Sequence, residues 1–409
     1  MDFNDTPEEA EFRAEARAFL TANAEAKEPG KIFPVRYGQD GLLDVAKPWQ
    51  AKKFDAGLAG ITVPKEYGGR GGTQMQQVIY SQEEANFLTP RGIYEVGLGM
   101  CVPVLLAYGT EEQKQRYVPP ALRGEEVWCQ LFSEPSAGSD LANLRTRAVR
   151  DGDDWVINGQ KIWTSGAHHA DFGVIVTRSD PNVPKHKGLT YFFLDMKSPG
   201  IETRRIKQIA GTSNFNEVFF TDVRVPDSQR LGEVGDGWKV AITTLMNERV
   251  AVGDRAAPDF DVIFGLVREL ALEDGPAVAD PLVRDKLANW YIQMQGIKLT
   301  RFRTITALSR GERPGPESSI NKVVNGTKRQ QIAHFALDLM DMAGAVYDED
   351  LMPMKALFQE AVLSSPRDRI AGGTDEILRN IIAERILGLP QDVRVDKDVP
   401  FNEVPGADG

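Results

Sequence analysis

Between residues 126 and 234 the chain changes texture, and that change restricts its fold more than any other feature. Ahead of it, apolar residues recur at helical spacing in "EEAEFRAEARAFL", "AKPWQAKKFDAGL" and "QVIYSQEEANFL". Within it, "FGVIVTRS", "LTYFFLDM", "IETRRI" and "NEVFFTDVRVP" follow one another as short runs of β-branched and aromatic residues, the composition of half-buried strands. "DWVINGQKIWTSG" predicts a hairpin with Asn158 and Gly159 at a two-residue turn. Helical periodicity resumes at Gly235 and runs to about Leu389, in lengths that suit an antiparallel four-helix bundle. The expected chain is mainly α with a central β domain. It has an N-terminal helical domain at 1–125, a small antiparallel β-barrel or sandwich at 126–234 and a C-terminal helical bundle at 235–390. The polar, proline-containing stretch 391–409 is expected to be a loose, flexible tail.

Composition narrows the chemistry. At 409 residues and 42% hydrophobic content the chain can bury large cores in two or three domains. Its 48 basic and 59 acidic residues give 48 − 59 = −11, which excludes nucleic acid as a natural partner. Cys101 and Cys129 are the only cysteines and form no CxxC, so the sequence suggests neither a disulfide framework nor a metal site, and fits a reducing, cytoplasmic setting. The N-terminus is an acidic amphipathic helix capped by Thr6, where a signal peptide would be basic. No apolar run is long enough to span a bilayer, so membrane insertion is not expected.

Three stretches could carry chemistry. In "LFSEPSAGSD", Ser133, Ser136 and Ser139 offer hydroxyls and Gly138 permits close backbone approach, though a plain polar loop reads the same way. In "KIWTSGAHH", Trp163 beside Thr164 and Ser165 can stack on a planar ring and bond its edge, or simply fill a core. His168 and His169 just beyond read as solvated loop residues. In "RDRIAGGTDEILRN", two glycines and Thr374 precede a helix whose free amides and dipole favour an anion. Asp375 and Glu376 in its first turn would repel that anion and should face away.

"SEPSAGSD", "GDDWVINGQKIWTSGA", "VPKEYGG", "GTEEQKQRYVPPALRGE" and "GGTDEILRNIIAERILGLP" resemble, in order and over nearly the whole chain, the acyl-CoA dehydrogenase family, with a likeness to its actinobacterial FadE-type branch. The resemblance implies FAD as cofactor and oxidation of an acyl-CoA to its trans-2-enoyl-CoA. A base takes the α proton, the β hydride passes to the flavin, and electrons leave to an electron-transfer flavoprotein. It implies flavin contacts at Gln130, Phe132, Ser133, Gly138, Ser139, Trp163, Thr164 and Ser165, with Thr374 and Glu376 on the last helix, and substrate contacts at Ser139, Arg249 and Gly372.

The base is where this sequence departs from its relatives. Most members carry a glutamate just before the Gly-Thr of the last helix; here Gly372 stands in its place, leaving only a backbone amide to polarise the thioester carbonyl. Other members supply the acid from the first long helix of the bundle, where this chain has Glu248 followed by Arg249. The residues alone also single out Glu248. Ala241, Thr244, Leu245, Glu248 and Val252 share one face, and no cation stands at i±3 or i±4, so the carboxylate either pairs at a distance or has a raised pKa. Glu248 is therefore the expected catalytic base.

Two flavin-contact segments depart as well. The Arg-x-x-Phe-Gly type segment that reaches a neighbouring subunit's FAD should fall within 267–286, which has no phenylalanine, and the adenosine-side segment is matched only by "LMDMAGA". The expected assembly is a homotetramer or, alternatively, a heterotetramer of the steroid type in which a sister subunit completes the flavin site. A flavin oxidase or monooxygenase of the same fold is a further alternative.

Overall fold

The computed structural model describes residues 5–28, 33–35, 38–252, 258–309, 315–316 and 318–404, and within these the side chains of 248–252, 308–309 and 318 are not described. The chain divides by contact into two compact units: Met1–Pro34, Gln74–Thr89 and Val252–Gln391 form one, and Val35–Thr73, Pro90–Ala251 and Asp392–Gly409 the other. The N-terminal helices are thus shared between them.

The first unit is helical. Helix α1 (Pro7–Asn23) starts at Thr6, whose hydroxyl accepts from the Glu9 amide while Glu9 accepts from the Thr6 amide. This reciprocal cap satisfies donors the helix itself cannot pair. Two-residue strands β1 (Glu25–Ala26) and β2 (Phe87–Leu88) pair antiparallel beside α1 and α3 (Gln74–Glu84). In the C-terminal part, α7 (Phe260–Glu269), α8 (Pro281–Ser309), α9 (Ser318–Leu339) and α10 (Leu357–Ser364) enclose a core that includes Ile263, Val267, Trp290, Ile332 and Phe358, and α11 (Asp375–Arg385) packs on α9.

The second unit is a curled seven-stranded sheet flanked by helices α2 (Leu42–Asp55), α4 (Val102–Tyr108), α5 (Glu111–Arg123) and α6 (Gly237–Val252). Its strands are β3 (Trp128–Leu131), β4 (Arg147–Asp151), β5 (Asp154–Ser165), β6 (Phe172–Arg178), β7 (Leu189–Asp195), β8 (Ile201–Ile206) and β9 (Phe215–Pro226). The spatial order is β3-β6-β4-β5-β9-β8, with β7 on β6. Most pairs are antiparallel, as expected, but β3 runs parallel to β6 across a long crossover, and β4 meets β6 parallel at Arg147 and Arg178. β6 and β7 are buried almost throughout, which explains their continuous apolar sequence; β8 is largely exposed, and alternates.

Two local expectations change. The hairpin turn joins β4 to β5 around Gly152, and β5 runs straight through Asn158 and Gly159. The Asn-Gly pair instead sits at a bulge against β9, where Asn158 exchanges two side-chain bonds with Asp222. Gly159 has φ +150°, and a Cβ there would meet the Thr146 Oγ1 at 2.5 Å. The C-terminal stretch is exposed over 391–395 but is no loose tail from Asp396 to residue 404. Phe401 is buried, Pro400 bridges Pro184 and Asp396 pairs with Lys185, because an aromatic ring and a carboxylate there meet a buried cationic corner of the sheet.

Candidate active site

The bulge between Lys161 and Thr164 on β5 shapes the first part of the site. It puts Trp163 at φ +60°, a left-handed conformation that costs a bulky residue about 1–3 kcal/mol, and leaves its indole 55% exposed with one edge against Phe215. Thr164 beside it is 1% exposed, and its hydroxyl finds no hydrogen-bond partner among the described residues. Ser165 is half-buried at the strand end. A strained, exposed indole and an orphaned buried hydroxyl are features a folded core avoids unless something else uses them.

The serine loop lies alongside. The Ile162 amide donates to the Ser133 carbonyl at 2.8 Å, which brings Phe132 and Ser133 next to the Trp163 strand. Phe132 is buried with its ring edge-on to Tyr191, and Gln130 is partly exposed on β3 opposite Val174. Glu134 and Ala137 exchange backbone bonds across a tight turn, and Gly138 and Ser139 beyond it are exposed. A Cβ on Gly138 would meet nothing within 4 Å, so that face of the loop is open.

What fixes the loop is a buried ion pair that the sequence reading did not single out. Lys161 is 0% exposed and donates to the Glu134 carboxylate at 2.8 Å and to the Phe132 carbonyl at 3.0 Å. Glu134 also accepts from the Arg145 and Thr146 amides at 2.6 and 2.9 Å. Burial alone would raise the Glu134 carboxyl, but the Lys161 charge and these donors hold it below its ordinary value. Burial lowers the Lys161 ammonium, against the pull of Glu134. The legible signal was a charged residue in the same period-two phase as the inward Trp155 and Ile157 of β5.

Asn216 was missed too. Wholly buried, it donates to the Thr164 carbonyl at 2.8 Å and faces the His168 Nδ1 at 3.1 Å. His168 is therefore half-buried and not a solvated loop residue; burial, then His169 and Arg205, push it down to about 4.

Helix α6 carries Glu248 and Arg249 in its backbone, but their side chains lie outside the described residues. The helix is pinned to the sheet upstream, where Thr244 is fully buried and meets the Tyr191 hydroxyl at 2.9 Å. In the helical unit, Gly372 and Gly373 have φ +67° and +96°, conformations suited to glycine. Thr374 caps α11 by accepting from the Ile377 amide, so its hydroxyl is engaged within the helix. Asp375 is buried against Arg369 at 2.7 Å, while Glu376 is exposed. The "LMDMAGA" segment, with Asp341 at φ +50°, lines a shallow cleft with Leu337 and Asp338.

Comparison with known proteins settles the family. The N-terminal, middle and C-terminal domains of acyl-CoA dehydrogenase match residues 6–125, 129–223 and 235–387. The chain belongs to the acyl-CoA dehydrogenase family. It is 36% identical to acyl-CoA dehydrogenase IpdE1 of Mycolicibacterium smegmatis, over 94% of this chain and 98% of that one. It is 42% identical to acyl-CoA dehydrogenase FadE34 of Mycobacterium tuberculosis, over 84% of this chain but only 46% of that longer protein. Among solved structures it resembles the Tcur3481-Tcur3483 steroid ACAD, with a TM-score of 0.79, 30% identity and coverage of 96% and 100%. It also resembles the ChsE4-ChsE5 complex from Mycobacterium tuberculosis, with a TM-score of 0.78, 28% identity and the same coverage.

Membership brings FAD as the cofactor of this oxidoreductase. The residues present fit a flavin: the exposed Trp163 offers a flat face, and beside it the buried Thr164 hydroxyl lacks a partner among the described residues. Among the described residues no helix is long and apolar enough to cross a membrane.

Proposed function

We propose that this chain is the flavin-carrying subunit of a heterotetrameric, steroid-type acyl-CoA dehydrogenase that desaturates a bulky acyl-CoA between its α and β carbons. The observation that carries this is likeness over 96% of the chain to the Tcur3481-Tcur3483 steroid ACAD and to the ChsE4-ChsE5 complex, each named for two different proteins. The exposed apolar residues Leu282, Ile292 and Leu299 along α8 add a surface that suits association with another subunit. The segment 267–286, lacking the phenylalanine usual for cross-subunit flavin contacts, accords with a sister chain completing the site.

In this reading Ser133 and the backbone of the 130–139 loop bond the flavin edge and the thioester, while Trp163, Thr164 and Ser165 hold the ring. Bound FAD supplies the two-electron acceptor, and an electron-transfer flavoprotein collects the electrons. Glu248 removes the α proton. Gly372 brings no competing acid and supplies an amide toward the thioester carbonyl, and placing the base on α6 leaves room for a branched or ring-bearing acyl group. Arg249 orients the substrate. Thr374 and Glu376 contribute from the last helix to the cofactor's polar end.

Expression of the chain alone and with a sister subunit tests the assembly by native mass and flavin absorbance. A flavin-loaded homotetramer from the single chain would exclude the heteromeric reading.

A further inference from the structure

The loop that carries Ser133, Gly138 and Ser139 is held at its entry by the buried Lys161–Glu134 pair. Its exit is held differently. Asp140, at the end of the loop, accepts from the Lys185 Nζ at 2.7 Å, and the same ammonium reaches Asp396 of the C-terminal segment at 2.5 Å. The Lys185 side chain is only 9% exposed, although that of Asp140 is 55% exposed. Burial would lower this ammonium, but Asp140 and Asp396 together hold it above its ordinary value.

The C-terminal segment is anchored by more than that charge. The Phe401 and Asn402 amides donate to the carbonyls of Val183 and Pro181, each at 3.0 Å, and the Asn402 side chain meets Asn182. The Phe401 ring is 6% exposed and lies 3.8 Å from the Arg178 guanidinium. Arg178, itself buried, donates to the Lys185 carbonyl at 2.7 Å and to the Ala142 carbonyl at 2.6 Å, just past the loop. Two cations, Lys185 and Arg178, are therefore shared between the 396–402 segment and the 140–144 stretch.

We propose that residues 396–402 are a latch on the serine loop: Asp396 and Phe401 fix Lys185 and Arg178, which fix the loop's exit and so position its flavin- and thioester-facing residues. Lys185, Arg178, Asp396 and Phe401 act in this scheme as positioning residues, through the loop's exit. A pair on an exposed rim would contribute little, but a nearly buried ammonium shared by two carboxylates cannot lose one without rearranging. The role assigned to the loop rests on the proposed flavoenzyme function, whereas the coupling of tail to loop does not.

Amide hydrogen exchange on the full-length chain separates the two. The reporters are the Asn143 and Leu144 amides, bonded to the Asp140 and Leu141 carbonyls in the short turn Leu141–Asn143, with the β3 amides as internal control. Asp396→Asn and Phe401→Ala should speed exchange at the reporters about tenfold and leave β3 unchanged, and Asp396→Glu should restore protection. In the FAD-loaded protein the same two variants should raise the FAD dissociation constant and the thioester KM severalfold, with kcat changed less. Unchanged reporters would overturn the latch, as would an equal increase across β3. A wild-type chain that binds no FAD, alone or with a sister subunit, would overturn the flavoenzyme reading while the exchange result still decides the latch.

Discussion

Replacing Glu134 with Gln tests how the serine loop is held. The substitution preserves shape but removes the one counter-charge bonded, among the described residues, to Lys161, an ammonium with 0% exposure. Breaking a buried pair in this way costs about 3–5 kcal/mol, because the remaining charge must deprotonate, pull in water or move. For a unit of this size that corresponds to a fall in melting temperature of roughly 6–20 °C. Lys161→Met should cost less, since Glu134 would keep the Arg145 and Thr146 amides as donors. The double variant removes both charges together and should recover roughly 2–3 kcal/mol of the summed single effects. Denaturant melts of the four proteins give the coupling, and flavin fluorescence gives FAD retention, which should fall with Glu134→Gln because the Phe132 carbonyl loses a fixed donor. Strict additivity, or a Glu134→Gln protein that melts and binds FAD as wild type does, would refute the account of the pair.

Trp163→Gly should raise stability by about 1 kcal/mol, read as a higher melting temperature without FAD, because it relieves a left-handed φ at an exposed side chain. The same variant should weaken FAD binding about tenfold or more through loss of the stacking face. Gly159→Ala should destabilise by about 2–4 kcal/mol in denaturant melts, as its methyl meets Thr146 at 2.5–2.8 Å on a φ of +150°. His168 is held down to about 4 from 6.5, so the unfolded chain takes up its proton first as the pH falls. Stability should drop between pH 6.5 and about 4, with no further contribution below, and His168→Gln should flatten that part of the melting profile.

Elements with strong local signals were legible in the sequence. Thr6 does cap its helix, with the reciprocal side-chain bonds that its spacing to Glu9 implies. The apolar runs of β6 and β7 form buried strands, and the helix, sheet, helix order holds. The hairpin turn was misplaced because Asn-Gly also suits a bulge, and only the partner strand, through Asp222, decides between the two uses. The tail was read as loose because polar composition conceals one docking residue, Phe401, whose partner Arg178 lies more than two hundred positions away. At the site, Trp163, Ser133 and Gly138 could be named from their motifs, yet Lys161 and Glu134 stood in the same motifs unnoticed, and Asn216 stood at the start of the strand run "NEVFFTDVRVP". Their roles depend on burial and on contacts between strands, which no local pattern records.

The proposed role of Glu248 as the base for the α proton, with Gly372 offering no acid, is open to a direct test. Anaerobic bleaching of bound FAD should be followed in Glu248→Gln, using the most active thioester from a panel of short, long, branched and steroid acyl-CoAs. The account predicts a protein that retains FAD and still binds the thioester but reduces its flavin about 10²–10⁴-fold more slowly than wild type. Flavin reduction at a near wild-type rate would contradict it.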